Sequence, residues 1–161
     1  MPSSPVIALS PIDGPEGAAV LFFRDVTDGW LALRVHESLH AVGRVVASGE
    51  LSRVPGLVAA EAGAIFGSEC MVVRFDDGGA MVLGCADSRS RVGDVLPTAG
   101  SGALARVRAS GAPARVDDAA LPPDSPARAH ALALGDTATV AVPVHASDRL
   151  WGAILVTTRR P

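Results

Sequence analysis

The chain has 161 residues, 48% of them hydrophobic and 19% charged, with a formal net charge of −3, which is a globular composition and not a disordered one. It contains no Lys, Tyr, Asn or Gln, so all 14 basic residues are Arg. That excludes a Schiff-base lysine, the Lys-bearing phosphate loop and an N-glycosylation acceptor, and it fits a GC-rich bacterial genome.

The acidic balance and scattered Arg residues give no basic footprint for nucleic acid. No apolar run approaches the roughly 20 residues of a membrane span. The opening Met1-Pro2-Ser3-Ser4-Pro5 lacks the charged and apolar regions of a signal peptide, so a cytoplasmic location is expected. Cys70 and Cys85 are too few for a disulfide framework and lack metal-binding spacing, which in a reducing compartment leaves them as small buried hydrophobes.

Residues 1–17 are rich in Pro, Ser and Gly and read as a loop. Ala18 to Phe23 is a compact apolar run and a strand candidate. A helix is predicted from about Trp30 to Ser48. Within it Ala32, Val35, Leu39, Val42 and Val46 recur at steps of 3, 4, 3 and 4, which is a coiled-coil-like stripe. So narrow a stripe needs a partner, and a second copy of the chain is the economical one, giving a dimer interface at Val35, Leu39, Val42 and Val46.

A second helix is expected with Ser52 as its N-cap and Gly67 as its stop. Cys70–Phe75 and Ala80–Cys85 read as strands joined by Asp76-Asp77-Gly78-Gly79, a hairpin signal. Residues 86–100 read as loop, Ala103–Ser110 as a short helix stopped by Gly111, and Ala114–Val116 as a short strand. A long connection with Pro122, Pro123 and Pro126 follows, with a turn or two of helix around His130. Thr137–Val144 and Leu150–Thr157 form a closing hairpin. Hairpins at both ends with helices between them predict an α+β fold, an antiparallel sheet with helices on its faces.

Two motifs invite chemistry. His36-Glu37-Ser38-Leu39-His40 matches HExxH, and Gly43 extends it; a zinc hydrolase would place both His on one helix face with the Glu as base. The extended pattern needs His at position 46, which is Val46, and Glu61 is at most a distant ligand without a local motif. The apolar stripe also leaves His36, Glu37 and His40 on its solvated flank, so a surface helix is the favoured reading. Gly100-Ser101-Gly102-Ala103-Leu104-Ala105 fits GxGxx[GA], but it follows a loop instead of a buried strand, so a helix N-terminus is favoured over a dinucleotide site.

The words of the second half, in order, resemble the GAF family of small-molecule sensor domains over about residues 50–160. They are Ala64-Ile65-Phe66-Gly67 with Glu69 to Phe75, Val92 to Pro97, Gly102 to Val107, Gly111 to Asp118, Val140 to Val144 and Arg149 to Leu155. Gly17 to Asp28, ending in Asp-x-Thr-Asp, is similar to the last strand of a PAS domain. The resemblance implies residues 1–28 as a PAS-like tail, 29–49 as a signalling helix and 50–161 as a GAF-like sensor. It implies a fragment of a longer signal-transduction protein whose output domain, a kinase, phosphatase or similar, lies elsewhere.

It also implies candidate ligand-binding residues: Arg74, Cys85, Arg108, His130 and Thr139. The family's cyclic-nucleotide signature is excluded by the lack of Lys and Asn, and a bilin would need a Cys-His neighbour that is absent. His130 lacks the Pro-flanked setting of haem-ligating relatives, so no cofactor is expected. Some relatives reduce methionine sulfoxide with cysteines, and Cys70 and Cys85 lie on adjacent predicted strands, but the local motifs of those enzymes are missing. A non-enzymatic sensor is therefore expected, with a zinc hydrolase or cysteine reductase as the alternative.

Overall fold

The structure, a computed structural model, describes residues 29–86 and 90–159. The strand expected at 18–23, with its PAS-like closing sequence, lies outside the described residues. Helix α1 (Gly29–Ala47) fills the predicted stripe-bearing segment. A 3-10 turn, Leu51–Arg53, then leads into α2 (Val54–Phe66).

Ser52 is therefore not the N-cap expected of it. The Arg53 amide donates to the Glu50 carbonyl at 2.9 Å, and the Arg53 guanidinium meets the Glu50 carboxylate at 2.6 Å. These contacts close a tight turn around Ser52, and α2 starts beyond it with Pro55 in its first turn, where a missing N–H costs nothing. Helix α2 stops at Gly67, whose φ of 59° lies in the left-handed region that glycine enters without strain.

Strands β1 (Glu69–Asp76) and β2 (Gly79–Cys85) form the first hairpin, whose turn is held by the Gly78 amide donating to Asp76 Oδ1 at 2.9 Å. The segment expected to be loop contains a further strand, β3 (Val95–Leu96), paired with Ala80 and Met81 at the sheet edge. Two residues carry no periodicity, so only the pairing reveals it.

Helix α3 (Ala103–Ser110) and β4 (Ala114–Asp117) follow, then a 3-10 turn, Asp118–Ala120. Helix α4 (Pro126–Leu134) is capped by Ser125, whose hydroxyl accepts from the Arg128 amide at 3.1 Å. Strands β5 (Asp136–Ala146) and β6 (Arg149–Arg159) close the chain. Among the described residues no helix is long and apolar enough to cross a membrane.

The six strands of the described residues pair antiparallel in the order β3-β2-β1-β6-β5-β4. This is the α+β architecture expected from the terminal hairpins. The hairpins meet at the middle, where β1 pairs with β6, Val73 opposite Ala153.

Side chains alternate across the sheet with the strand period of two. Met71, Val73, Ala153 and Leu155 point to one face and pack with Leu104 and Val107 of α3 and Leu121 of the long connection. Cys70, Val72, Ile154 and Val144 point to the other and pack with Ala59 and Ala62 of α2. Because both faces are covered, Cys70–Val73 of β1 and Leu150–Val156 of β6 carry no polar side chain. Each buried Val or Leu contributes roughly 1.5–3 kcal/mol.

Strand β6 passes β1 so closely at Gly152 that an added Cβ would overlap the Val73 carbonyl. Relief there requires backbone movement in the middle of the sheet. Gly152→Ala is expected to destabilise the fold by about 3 kcal/mol in urea denaturation. Gly78→Ala, where a Cβ would stand an ordinary 3.6 Å from Asp76 Oδ1, is expected to cost under about 1 kcal/mol.

Candidate functional site

A cavity of about 50 Å³ lies between the sheet and the α3/α4 side. Its floor is Met71 of β1 and Leu155 of β6, and its walls are Leu96, Leu104, Leu121, Ala127 and Ala131. Into this apolar shell project Asp118, His130, Asp136, Thr139 and Thr157. The strands set two of these side by side, since Thr139 of β5 is the cross-strand partner of Thr157 of β6. Asp118 enters from the first residue of the 3-10 turn after β4, and His130 from the middle of α4.

The electrostatics follow from burial. Asp118 is 7% exposed. Among the described residues the side chain that reaches its carboxylate is Thr139, whose hydroxyl donates at 3.4 and 3.5 Å, the long end of the hydrogen-bond range. Burial pushes the Asp118 carboxyl above the ordinary carboxylate range, the Thr139 hydroxyl opposes this, and the neighbouring Asp117 charge adds to it. Thr157 is 3% exposed, and among the described residues neither its Oγ1 nor the buried Nε2 of His130 has a hydrogen-bond partner. Unpaired polar atoms in an apolar shell cost about 1–3 kcal/mol each, so the cavity is built with unmet demand for a partner.

The start of α3 explains the glycine-rich motif. Gly102 precedes the helix with an extended backbone, and a Cβ there would come within 2.7 Å of Ala127 Cβ on α4. Its small size lets α3 and α4 touch; the residues after it close the cavity by packing.

Of the five residues proposed from sequence, the cavity brings together His130 and Thr139. The other three lie elsewhere. Arg74 is exposed on β1 and shares the strand parity of Cys70 and Val72, which face α2. Arg108, in the last turn of α3, donates to Thr98 Oγ1 at 2.9 Å and stands 5.7 Å over the Phe75 ring, so it ties the loop after β3 to the first hairpin. Cys85 packs against the rim of the core and its thiol donates to the Ser90 carbonyl at 3.1 Å. Asp118, Asp136 and Thr157 are missed by sequence reasoning; for Thr157 the available signal was a polar residue at an inward strand position.

The cysteines do not form a redox pair. Both are free, and they belong to clusters on opposite faces of the sheet. Burial pushes the Cys70 thiol up to about 12, which keeps it protonated and unreactive at neutral pH.

The HExxH segment lies on α1 with His36 and His40 both exposed and their Nε2 atoms 2.9 Å apart. Among the described residues no group of three His, Cys, Asp or Glu stands close enough to share a metal ion. Glu61, the distant carboxylate, accepts from Ser38 Oγ at 2.6 Å.

A second, larger cavity of about 430 Å³ separates α1 from α2 and the sheet. The stripe residues Val35, Leu39, Val42 and Val46 all line it, and each is only half-buried. The stripe therefore turns toward α2 and leaves a wide apolar opening.

Comparison with known proteins gives a consistent picture. The family model of the GAF domain matches residues 50–161. Among solved structures, the phycoerythrobilin-bound GAF domain of a cyanobacterial phytochrome is similar at a TM-score of 0.60 and 21% identity, over 78% of this chain and 82% of that one. The GAF domain of a phosphoenolpyruvate-protein phosphotransferase from Coxiella burnetii is similar at 0.59 and 21%, over 79% of each chain. A free methionine-R-sulfoxide reductase from Neisseria meningitidis is similar at 0.59 and 18%, over 84% of this chain and 78% of that one. Identities this low speak for the fold alone. No curated protein sequence matches the chain.

The raised Asp118 carboxyl has a sign that can be measured. In the native state it holds its proton to higher pH than in the unfolded chain. Its contribution is therefore fully present below the ordinary carboxylate range and is lost as pH rises through the raised value. Asp118→Asn removes that loss, so thermal melts from pH 4 upward should show the variant gaining stability relative to the parent as pH rises. A constant difference between the two would refute the burial of this charge.

Proposed function

The chain belongs to the GAF domain family over residues 50–161, and we propose that it is a non-enzymatic sensory and regulatory module of a cytoplasmic signal-transduction protein. The observation that supports this reading is the convergence of Asp118, His130, Thr139 and Thr157 on one apolar cavity, with His130 Nε2 and Thr157 Oγ1 unpartnered. Ligand sites have this composition, apolar walls with a few converging polar groups. At about 50 Å³ the cavity admits only a few non-hydrogen atoms, so a larger ligand binds an arrangement in which α4 and its connection have moved. A ligand that prefers that arrangement shifts the population toward it.

The readout we assign to α1. Leu51, which lines the opening between α1 and α2, is 53% exposed, and Leu33 on α1 and Phe66 at the end of α2 are 58% and 42% exposed, and apolar surface of this kind calls for cover. A second copy of the chain, packing its own α1 and α2 against these, makes a homodimer in which a change at the sheet reaches both signalling helices. An output domain, kinase, phosphatase or similar, would then receive it.

Two measurements test this. Native mass spectrometry of the purified protein should find a stoichiometric small molecule, or a metabolite screen should find one that raises the melting temperature; a protein that binds nothing in either is a spacer and not a sensor. In analytical ultracentrifugation the parent should sediment at twice its 16.3 kDa, and Leu39→Glu should yield monomers with unchanged helical circular dichroism. A Leu39→Glu protein that remains dimeric refutes the role of the stripe.

A further inference from the structure

The small cavity also carries information about what it binds, and this inference rests on the ligand-binding reading above. Its polar lining joins the carboxyl groups of Asp118 and Asp136 to the hydroxyls of Thr139 and Thr157 and the imidazole of His130, which can each accept a hydrogen bond. Among the described residues no arginine lines it, although every one of the chain's 14 basic residues is an arginine. Arg128, on α4 itself, reaches back to the Leu121 carbonyl at 2.7 Å.

Among the described residues Asp118 thus has one long hydroxyl contact and no cation partner. Buried charges are ordinarily paired, because an unpaired one costs several kcal/mol. Beside it Thr157 Oγ1 lies unpartnered on a residue 3% exposed, and His130 Nε2 is unpartnered too.

Three kinds of occupant can be weighed against this lining. A carboxylate or phosphate would bring a second negative charge to Asp118 with no guanidinium to receive it. A metal ion needs more ligands than are assembled, since no three of the described His, Cys, Asp or Glu residues converge. A planar cationic N–H donor suits the geometry: a carboxylate accepts two parallel N–H bonds from an amidinium or guanidinium, and a hydroxyl oxygen and an imidazole nitrogen accept the remaining protons. The volume, about 50 Å³, fits such a head group of a few atoms.

We propose that the cavity recognises the amidinium, guanidinium or compact ammonium end of a small molecule, with Asp118 as its counter-ion and Thr157 and His130 as further acceptors. Acetamidinium and acetate provide the probe, because they share shape and size and differ in charge and hydrogen-bond sense. Each is titrated into the ¹⁵N-labelled full chain at matched ionic strength, following the amides of Asp118, Thr139 and Thr157.

Acetamidinium is expected to shift these amides saturably in about the millimolar range, near what four non-hydrogen atoms can achieve, while acetate leaves them in place. Asp118→Asn should weaken acetamidinium binding by about tenfold or more, the worth of a charge-assisted hydrogen bond. Thr157→Val, close in shape, gives a second and smaller loss should the first variant fold poorly. Acetate binding as well as or better than acetamidinium overturns the proposal and leaves the ligand-binding reading standing. If neither ion shifts the amides, the cation assignment falls, while the ligand-binding reading stands or falls on the mass spectrometry and metabolite screen above. Acetamidinium binding that survives both substitutions also overturns the assignment.

Discussion

The molecule depends on the pairing of β1 with β6. These strands come from the first and the last hairpin, and their ladder, from Glu69 opposite Thr157 to Arg74 opposite Gly152, is what turns two hairpins into one sheet. Each hairpin alone would be marginal in water, since a two-stranded unit buries too little. The ladder also sets the cost of folding, because it closes a loop spanning most of the domain before it is rewarded. Gly152 is the narrowest point of that contact, where the β1 carbonyl at Val73 occupies the space a side chain would need. The cores on both faces, and both cavities, are laid down on the surface this pairing creates.

Much of this fold can be read from the chain because its punctuation is local. The stops at Gly67 and Gly111, each with positive φ, and the Asp76 to Gly79 turn act over four or five residues. What escapes is long-range. Strand β3 exists because Ala80 and Met81 offer it an edge. The 3-10 turn around Ser52 exists because Glu50 and Arg53 close on each other.

The site is less legible than the fold, and the reasons are specific. His130 and Thr139 stand at the cavity, but Arg74 illustrates the hazard of a two-residue period. Met71 faces the cavity and Val73 shares its face, so Arg74 must face the other way, and a shift of one residue decides which face a side chain serves. Thr157 is marked only as a polar residue at an inward strand position and Asp118 by nothing nearby; their significance is that two strands and a turn bring hydroxyls and a carboxylate into one apolar space. The HExxH and GxGxx[GA] matches show the converse. Both are legible as strings, yet His36 and His40 lie on an exposed helix flank, and Gly102 serves the contact between α3 and α4.

Adjacent residues of the central strands line different cavities. On β1, Met71 floors the small cavity and Val72 the large one; on β6, Leu155 and Ile154 divide in the same way. The sheet is therefore a septum one backbone thick between the place where a ligand would sit and the place where α1 rests. A displacement on one side needs no relay of side chains to reach the other, because the same peptide units form both walls. The β1–β6 ladder is thus a wall common to both compartments.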